Sequence, residues 1–444
     1  MAEKIKLSPG DYVEVHLTKL IYEGILLESS ETGIVMLKLD SGYNIGFSKK
    51  DILKIVLLKK NKEAGKENFE IKKNPEKKNV AMIITGGTIA SRLDPKTGGA
   101  SPIKTPEDLF KLFPKIFEKV NVSKVEIPFL KDSSAMDFKD WQKIAKLTVE
   151  FLNDSNIQGV IITHGTDTLH YTSSALSFFI KNLNKPVVLT YSQRSIDRAS
   201  SDANLNLQCA SLAAISDIAE VSLVGHASSN DDFCYAMKGA KVRKLHSSRR
   251  DAFKVVNGKP LAKIFPDKIE SKNGKFLQSI SSGGEIERIS EWNLRNKNKA
   301  VLDSKFEEKV ALVKLYPGQN PDIFDYYVKK GYKGIVLELF GIGDAPAKEA
   351  RNSWIKKLKE IHGKGIVVCA VSQCIYGKVD PLVYSSGREV LGTGVIYLED
   401  MLAETAFVKL GWVLGHDDWK KNKKIIKEKM LTNFAGELNN RLEE

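Results

Sequence analysis

The sequence predicts an α/β protein: a two-lobed, doubly wound body preceded by a small N-terminal β-barrel. Three observations predict it. Short continuous apolar runs at 80–84 and 160–162 end in Gly- and Thr-rich turns, as buried parallel strands do. Segments of helical period lie between such runs, which is the alternation of a parallel α/β sheet. The first sixty residues instead alternate with period two and carry frequent turn residues, the pattern of a small all-β unit. The length of 444 residues allows about three domains.

The N-terminal strands are expected at 11–17, 22–27, 35–39, 43–47 and 52–58, separated by Pro9-Gly10, Glu31-Thr32-Gly33 and Asp40-Ser41-Gly42. Five strands in so short a stretch suggest an SH3-like or Sm-like barrel over 1–58. Residues 59–78 hold eight Lys and four Glu but only Ala64, Phe69 and Ile71 as apolar members, too few for a core, so a charged tether is expected there.

From 79 onward the β-α-β rhythm begins. A helix is expected from Asp137, a natural N-cap, to Asn153, with Trp141, Ile144, Ala145 and Thr148 on one face. Further strands are expected at 187–191 and 221–225, then a less regular, hairpin-containing stretch at 239–300. The pattern returns with strands at 310–315, 335–339 and 366–371 and helices near 321–331, 347–362 and 399–410. Domain bounds follow: an N-terminal lobe at 79–300, a C-terminal lobe at 308–436 and a tail at 437–444. No internal repeat stands out.

Composition narrows the function classes. Hydrophobic residues at 42% and charged residues at 28% suit a folded chain with a buried core. There is no apolar run of the roughly 18 residues a membrane span needs, and the start lacks the apolar stretch of a secretory signal, so a cytoplasmic protein is expected with no membrane partner. The excess of 68 Lys+Arg over 55 Asp+Glu permits attraction to polyanions. Much of it is local, in 59–78 and in a second lysine-rich run at 416–429, and such runs are ordinarily solvated. The four cysteines, Cys209, Cys234, Cys369 and Cys374, contain no CxxC pair, so buried free thiols are expected and no metal site is.

In an open α/β sheet, ligands sit outside the carboxyl ends of the strands, which directs attention to the loops after 84 and 162. The first is Thr85-Gly86-Gly87-Thr88-Ile89-Ala90 and the second His164-Gly165-Thr166-Asp167-Thr168. The GxxxxGK[ST] and GxGxxG spacings of nucleotide loops are absent, as is the GxSxG elbow of serine hydrolases. His164 and His170 flank the second loop without HxH or HExxH spacing, which favours packing or hydrogen bonding over metal ligation. A threonine hydroxyl is inert at neutral pH unless a base takes its proton, and a partly desolvated lysine is one such base. Lys244 is a candidate, one lysine among many by spacing alone.

TGGTIA and HGTDT, in this order and about eighty residues apart, resemble the paired signatures of bacterial-type L-asparaginases and glutaminases across roughly 80–415. The resemblance implies an asparaginase-like body and a Thr-dependent amidohydrolase with catalytic Thr88, Thr166, Asp167 and Lys244. Thr88 is the expected nucleophile; which threonine attacks in which half-reaction is left open. Lys244 is carried over because 243–248 and 252–254 align without gaps on the family's lysine-bearing segment. Lys131 to Asp137 resembles the loop that holds the substrate's α-carboxylate and α-amino groups, with Ser133 and Ser134 as contacts; stand-alone members carry Gln-Asp where this chain has Ser134-Ala135.

The barrel, the tether, the SSRRDAF stretch at 247–253 and the basic tail resemble a narrower branch, the D subunits of archaeal glutamyl-tRNA(Gln) amidotransferases. That resemblance implies a glutaminase releasing ammonia from glutamine or asparagine for a partner, the E subunit, which uses ATP and Mg to amidate Glu-tRNA(Gln). It implies no cofactor bound by this chain, tRNA contacts mainly through the partner, and a homodimer within a heterotetramer. A stand-alone L-asparaginase with an accessory barrel is the alternative. Arg249-Arg250 either docks a partner or caps a surface loop.

Overall fold

The computed structural model describes residues 7–29, 32–39, 44–60, 74–93, 100–102, 115–196, 200–267, 277–279 and 283–442. The expected turn at 40–42 and most of the tether, 61–73, lie outside the described residues.

The N-terminal unit is a five-stranded antiparallel sheet: β1 (Tyr12–His16), β2 (Ile21–Leu27), β3 (Ile34–Lys38), β4 (Asn44–Ser48) and β5 (Lys54–Lys59), in the order β4-β3-β2-β1-β5. Period-two alternation turns Val13, Val15, Leu37 and Phe47 into its own small core.

The N-terminal lobe is built on a nine-stranded sheet. Its parallel part comprises β6 (Asn79–Ile84), β7 (Asn121–Glu126), β8 (Val160–Thr163), β9 (Val187–Thr190) and β10 (Val221–His226), lying in the order β7-β6-β8-β9-β10. β11 (Cys234–Lys238) continues the sheet antiparallel to β10. A separate two-stranded ribbon, β12 (Val242–Lys244) with β13 (Phe253–Val255), stands off this sheet. β14 (Ala262–Phe265), β15 (Leu277–Ser279) and β16 (Glu285–Arg288) then complete the large sheet antiparallel.

Among the described residues, the long helices that cover this sheet are α1 (Phe138–Leu152), α2 (Leu169–Phe179) and α3 (Ala203–Ile215). α1 begins as expected: the Asp137 carboxylate accepts from backbone N–H groups of the first turn and Asp140 answers from the third helical position.

The C-terminal lobe is a four-stranded parallel sheet, β17 (Val310–Lys314), β18 (Gly334–Leu339), β19 (Val367–Ser372) and β20 (Ile396–Tyr397), in chain order. Its helices are α4 (Ile323–Lys329), α5 (Ile355–Gly363), α6 (Ser385–Leu391), α7 (Ala403–Leu414) and α8 (Lys423–Leu431). α7 packs on β18 and also on α2 of the first lobe, so one hydrophobic core runs through both.

Several expectations shift. The helix expected at 347–362 starts only at Ile355, after turns around Pro346. The lysine-rich run at 416–429 is more than a solvated stretch. His416 is buried and bonds Asp303 at 2.9 Å, while α8 buries Ile426 and Met430 on its inner face. The segment read as a tail starts inside the fold, because Glu437 is fully buried. Cys209, Cys234 and Cys369 are buried, but Cys374 is exposed, on the loop that leaves β19 at the sheet's carboxyl end. No helix among the described residues is long and apolar enough to cross a membrane.

Candidate active site

Counting the parallel strands of the first lobe in chain order, the sheet runs 2-1-3-4-5. The order reverses between its first strand, β6, and its third, β8, and a crevice opens at the carboxyl ends of such a pair. Register places Ile84 opposite Thr163, so TGGT and HGTDT leave the sheet side by side. Backbone bonds then join the loops: Thr85 N–H and its hydroxyl both donate to Thr163 O, at 3.2 and 2.8 Å, and Lys131 N–H donates to Thr85 O at 3.0 Å.

Glycine is required where these loops meet. Gly86 and Gly87 both have positive φ, +113° and +79°, conformations that side chains oppose. A Cβ on Gly87 would lie 2.4 Å from Gly165 Cα, and one on Gly86 2.5 Å from Lys131 O. Thr88 and Thr166 each follow one glycine of the Gly87–Gly165 contact. Thr88 opens a single helical turn fixed by Ala90 N–H and the Ser91 hydroxyl, both donating to Gly87 O.

The second hydroxyl has an amine beside it. Lys244 Nζ lies 2.8 Å from Thr166 Oγ1 and 2.9 Å from Asp167 Oδ1. The lysine comes from β12, 77 residues beyond Asp167 in the chain. Lys244 is mostly covered while Asp167 is open to solvent, so the trio faces the mouth of the crevice. An amine hydrogen-bonded to a hydroxyl and flanked by a carboxylate can accept the hydroxyl's proton and return it to a leaving group.

The two serines separate. Ser133 is buried, where its hydroxyl accepts from Asp167 N–H at 3.1 Å and its carbonyl accepts from the Thr168 hydroxyl at 2.7 Å. It therefore ties the 131–135 loop to HGTDT. Ser134 is exposed on the same turn. The loop is held from behind by Lys131, whose Nζ lies 2.9 Å from both carboxylate oxygens of buried Asp140. Sequence reasoning missed that pair, although the Asp137-x-x-Asp140 capping box was a signal for it.

Of the two flanking histidines, His164 bonds Gly165 O at 2.7 Å and the Thr172 hydroxyl at 2.9 Å. Burial pushes its imidazole down to about 4, and burial together with the neighbouring cations pushes His170 down to about 3. In the unfolded chain each takes up a proton near pH 6.5, while the folded chain keeps them neutral to those lower values. Stability is therefore full above about pH 6.5 and declines as pH falls toward 4, by about 3 kcal/mol for His164 alone. Melting temperatures between pH 7 and 4.5 are expected to fall, and His164→Gln should flatten the slope. An unchanged slope would mean that His164 titrates freely in the fold.

The Arg249-Arg250 pair is engaged in ion pairs on its own surface, with Arg249 exposed and Arg250 partly covered. Arg250 holds both oxygens of Asp231, at 2.8 and 2.9 Å, and Arg249 holds both of Asp251, at 3.0 and 3.1 Å, which staples the loop after β12. Among the described residues no group of His, Cys, Asp and Glu could hold a metal ion.

Comparison with known proteins places this arrangement. Residues 79–276 match the model "Asparaginase, N-terminal", 309–429 the "Glutaminase/Asparaginase C-terminal domain", and 7–58 the "GatD N-terminal domain". The D subunit of the Pyrococcus furiosus glutamyl-tRNA(Gln) amidotransferase is 46% identical over 97% of this chain and 94% of that protein. The chain belongs to the D-subunit family of glutamyl-tRNA(Gln) amidotransferases. The D subunit from Methanobrevibacter smithii is 41% identical over 97% of this chain and 94% of its own length. Among solved structures, the thermostable L-asparaginase from Thermococcus kodakarensis matches with a TM-score of 0.67 and 29% identity, covering 81% of this chain and 99% of that one. An asparaginase thus aligns end to end with about four-fifths of a D-subunit chain. The D-subunit family has its own N-terminal model, here matched by the five-stranded sheet.

Proposed function

We propose that the chain is the amide-hydrolysing component of a glutamyl-tRNA(Gln) amidotransferase, releasing ammonia from glutamine or asparagine at the crevice between β6 and β8. The observation that carries the reading is Lys244 set on Thr166 and Asp167 beside the glycine contact that brings in Thr88. The Thr88 oxygen attacks the side-chain carbonyl carbon, its proton passes to the base, and the tetrahedral adduct collapses by breaking the C–N bond as the nitrogen takes a proton and leaves as ammonia. Water then attacks the threonine ester, activated through Thr166 and Lys244, and frees the acid and the hydroxyl. The contact of Lys244 with Thr166 favours a second order of events, in which Thr166 attacks first. Ser133 and Ser134 bound the end of the crevice that receives the α-carboxylate and α-amino groups.

The ammonia serves a partner, the E subunit, in which ATP and Mg drive amidation of Glu-tRNA(Gln). The chain itself needs no cofactor, and two copies pair with two partners. Free hydrolysis would waste glutamine, so partner and charged tRNA should stabilise the active arrangement by a differential binding energy of about 1–3 kcal/mol. Glutamine hydrolysis measured for the chain alone, with the partner, and with partner plus Glu-tRNA(Gln) should rise about 5- to 150-fold across the series. Full activity in the isolated chain, unchanged by either addition, would instead support a stand-alone L-asparaginase.

A further inference from the structure

The strand that carries Lys244 is short. β12 is three residues long and, among the described residues, pairs only with β13, apart from the large sheet, and a two-stranded ribbon is marginal by itself. Val242 and Phe253 are buried in the common core and the Ser173 hydroxyl donates to Gly239 O just ahead of the ribbon, while its side-chain contacts to the other lobe come from one short stretch. Asp400 Oδ2 lies 2.5 Å from Lys241 Nζ, Glu404 Oε1 lies 3.0 Å from an Arg243 guanidinium nitrogen, and the Thr405 hydroxyl donates to Ala240 O at 3.0 Å. Only the second of these grips the residue next to the lysine. Successive side chains on a strand take opposite faces, so Arg243 reaches the C-terminal lobe while Lys244 reaches Thr166 and Asp167.

Glu404 is more than nine-tenths buried, and its Oε2 has no hydrogen-bond partner among the described residues. The ring of His170 is 3.8 Å from Oε1 but stays neutral, and buried Glu338 adds an acid rather than a cation to the cluster. Arg243 is thus the cation that compensates Glu404. A buried carboxylate is costly without such a partner, so the pair resists separation.

We propose that Glu404, on the C-terminal lobe, is a positioning residue for Lys244: by holding Arg243 it sets where β12 delivers the amine, and so ties the base to the placement of the second lobe. This rests on the catalytic role proposed for Lys244. In the complete complex with partner and Glu-tRNA(Gln), Glu404→Gln should lower kcat for glutamine by about ten- to a hundredfold, with KM within about twofold. Glu404→Asp, which keeps the charge, should recover part of the loss, and Glu404→Gln should add nothing in a Lys244→Ala background. Should Glu404→Gln fail to fold, Arg243→Lys carries the test, because it keeps the charge and changes the reach; it too should lower kcat with KM held. A lowered melting temperature with kcat unchanged in the folded variants would overturn the inference and leave the pair purely structural. Hydrolysis at the wild-type rate by Lys244→Ala would overturn the role of the lysine itself, an outcome separable from the first.

Discussion

Replacing Lys244 by alanine is expected to lower amide hydrolysis by about 10²- to 10⁴-fold, the range of a positioned general base. The lysine is the hub of the site, within 2.9 Å of both Thr166 Oγ1 and Asp167 Oδ1, so its loss disconnects both. Thr88→Ala, Thr166→Ala and Asp167→Asn should each fall in the same range. Residues that act as one unit are far from additive, so any pair of these replacements should cost little beyond the worse single one. Folding should survive, because Asp167 is exposed and Thr88 and Thr166 are half-buried at a crevice rim, outside the packed core. Ammonia release under saturating glutamine, with partner and tRNA present, reads the effect, and melting temperature reads the fold. A glutamine analogue with a leaving group at the side-chain carbonyl should label a threonine, with Thr88 the expected position. A label on Thr166 would reverse the order of attack, and a label on any cysteine would remove the threonine mechanism. If Lys244→Ala keeps a near wild-type rate, the trio is a structural contact.

Much of this site was legible in the sequence because its determinants are local. Two apolar runs ending in TGGT and HGTDT announce strand ends, and strand ends are where α/β sheets bind ligands. Their adjacency was not legible. It depends on β7 pairing outside β6, and β7 alternates weakly within a stretch of charged residues. α2 and α3 escaped notice for a different reason: they are buried on nearly all sides, so they lack the polar face that creates a helical period. Lys244 could be singled out only by resemblance, since a lysine from a three-residue ribbon carries no local signature. Glu404 had no signal at all. Its partner Arg243 lies far upstream in the chain, and the sheet geometry that unites the two is set by neither.

Breaking the ion pair of Lys409 with Glu437 should have the largest effect on stability. Both side chains are fully buried, with Nζ and Oε1 at 2.5 Å. Lys409 also donates to Met430 O at 2.9 Å and Thr432 O at 2.6 Å, while Glu437 accepts from the N–H groups of Phe434 and Ala435 at 3.1 and 2.7 Å. The pair therefore closes the chain after α8 back onto α7. Burial pulls the lysine's pKa down, opposed by Glu437, so neither charge is comfortable without the other. Lys409→Met strands a buried carboxylate and should cost about 3–5 kcal/mol, lowering the melting temperature by on the order of 10 °C. Adding Glu437→Leu should return part of that stability, because the stranded charge is gone, though the backbone groups it served stay unpaired. The coupling between the two replacements, measured by denaturant unfolding, separates the charge effect from lost packing. The consequence for catalysis runs along one helix. Lys409 and Glu404 both lie on α7, five residues apart, so a helix loosened at its middle should hold Arg243 less firmly at its first turn. Lys409→Met should then lose kcat, with KM for glutamine held, at temperatures where it remains folded. Full activity in that folded variant would show that α7 keeps its grip on β12 without the C-terminal clamp.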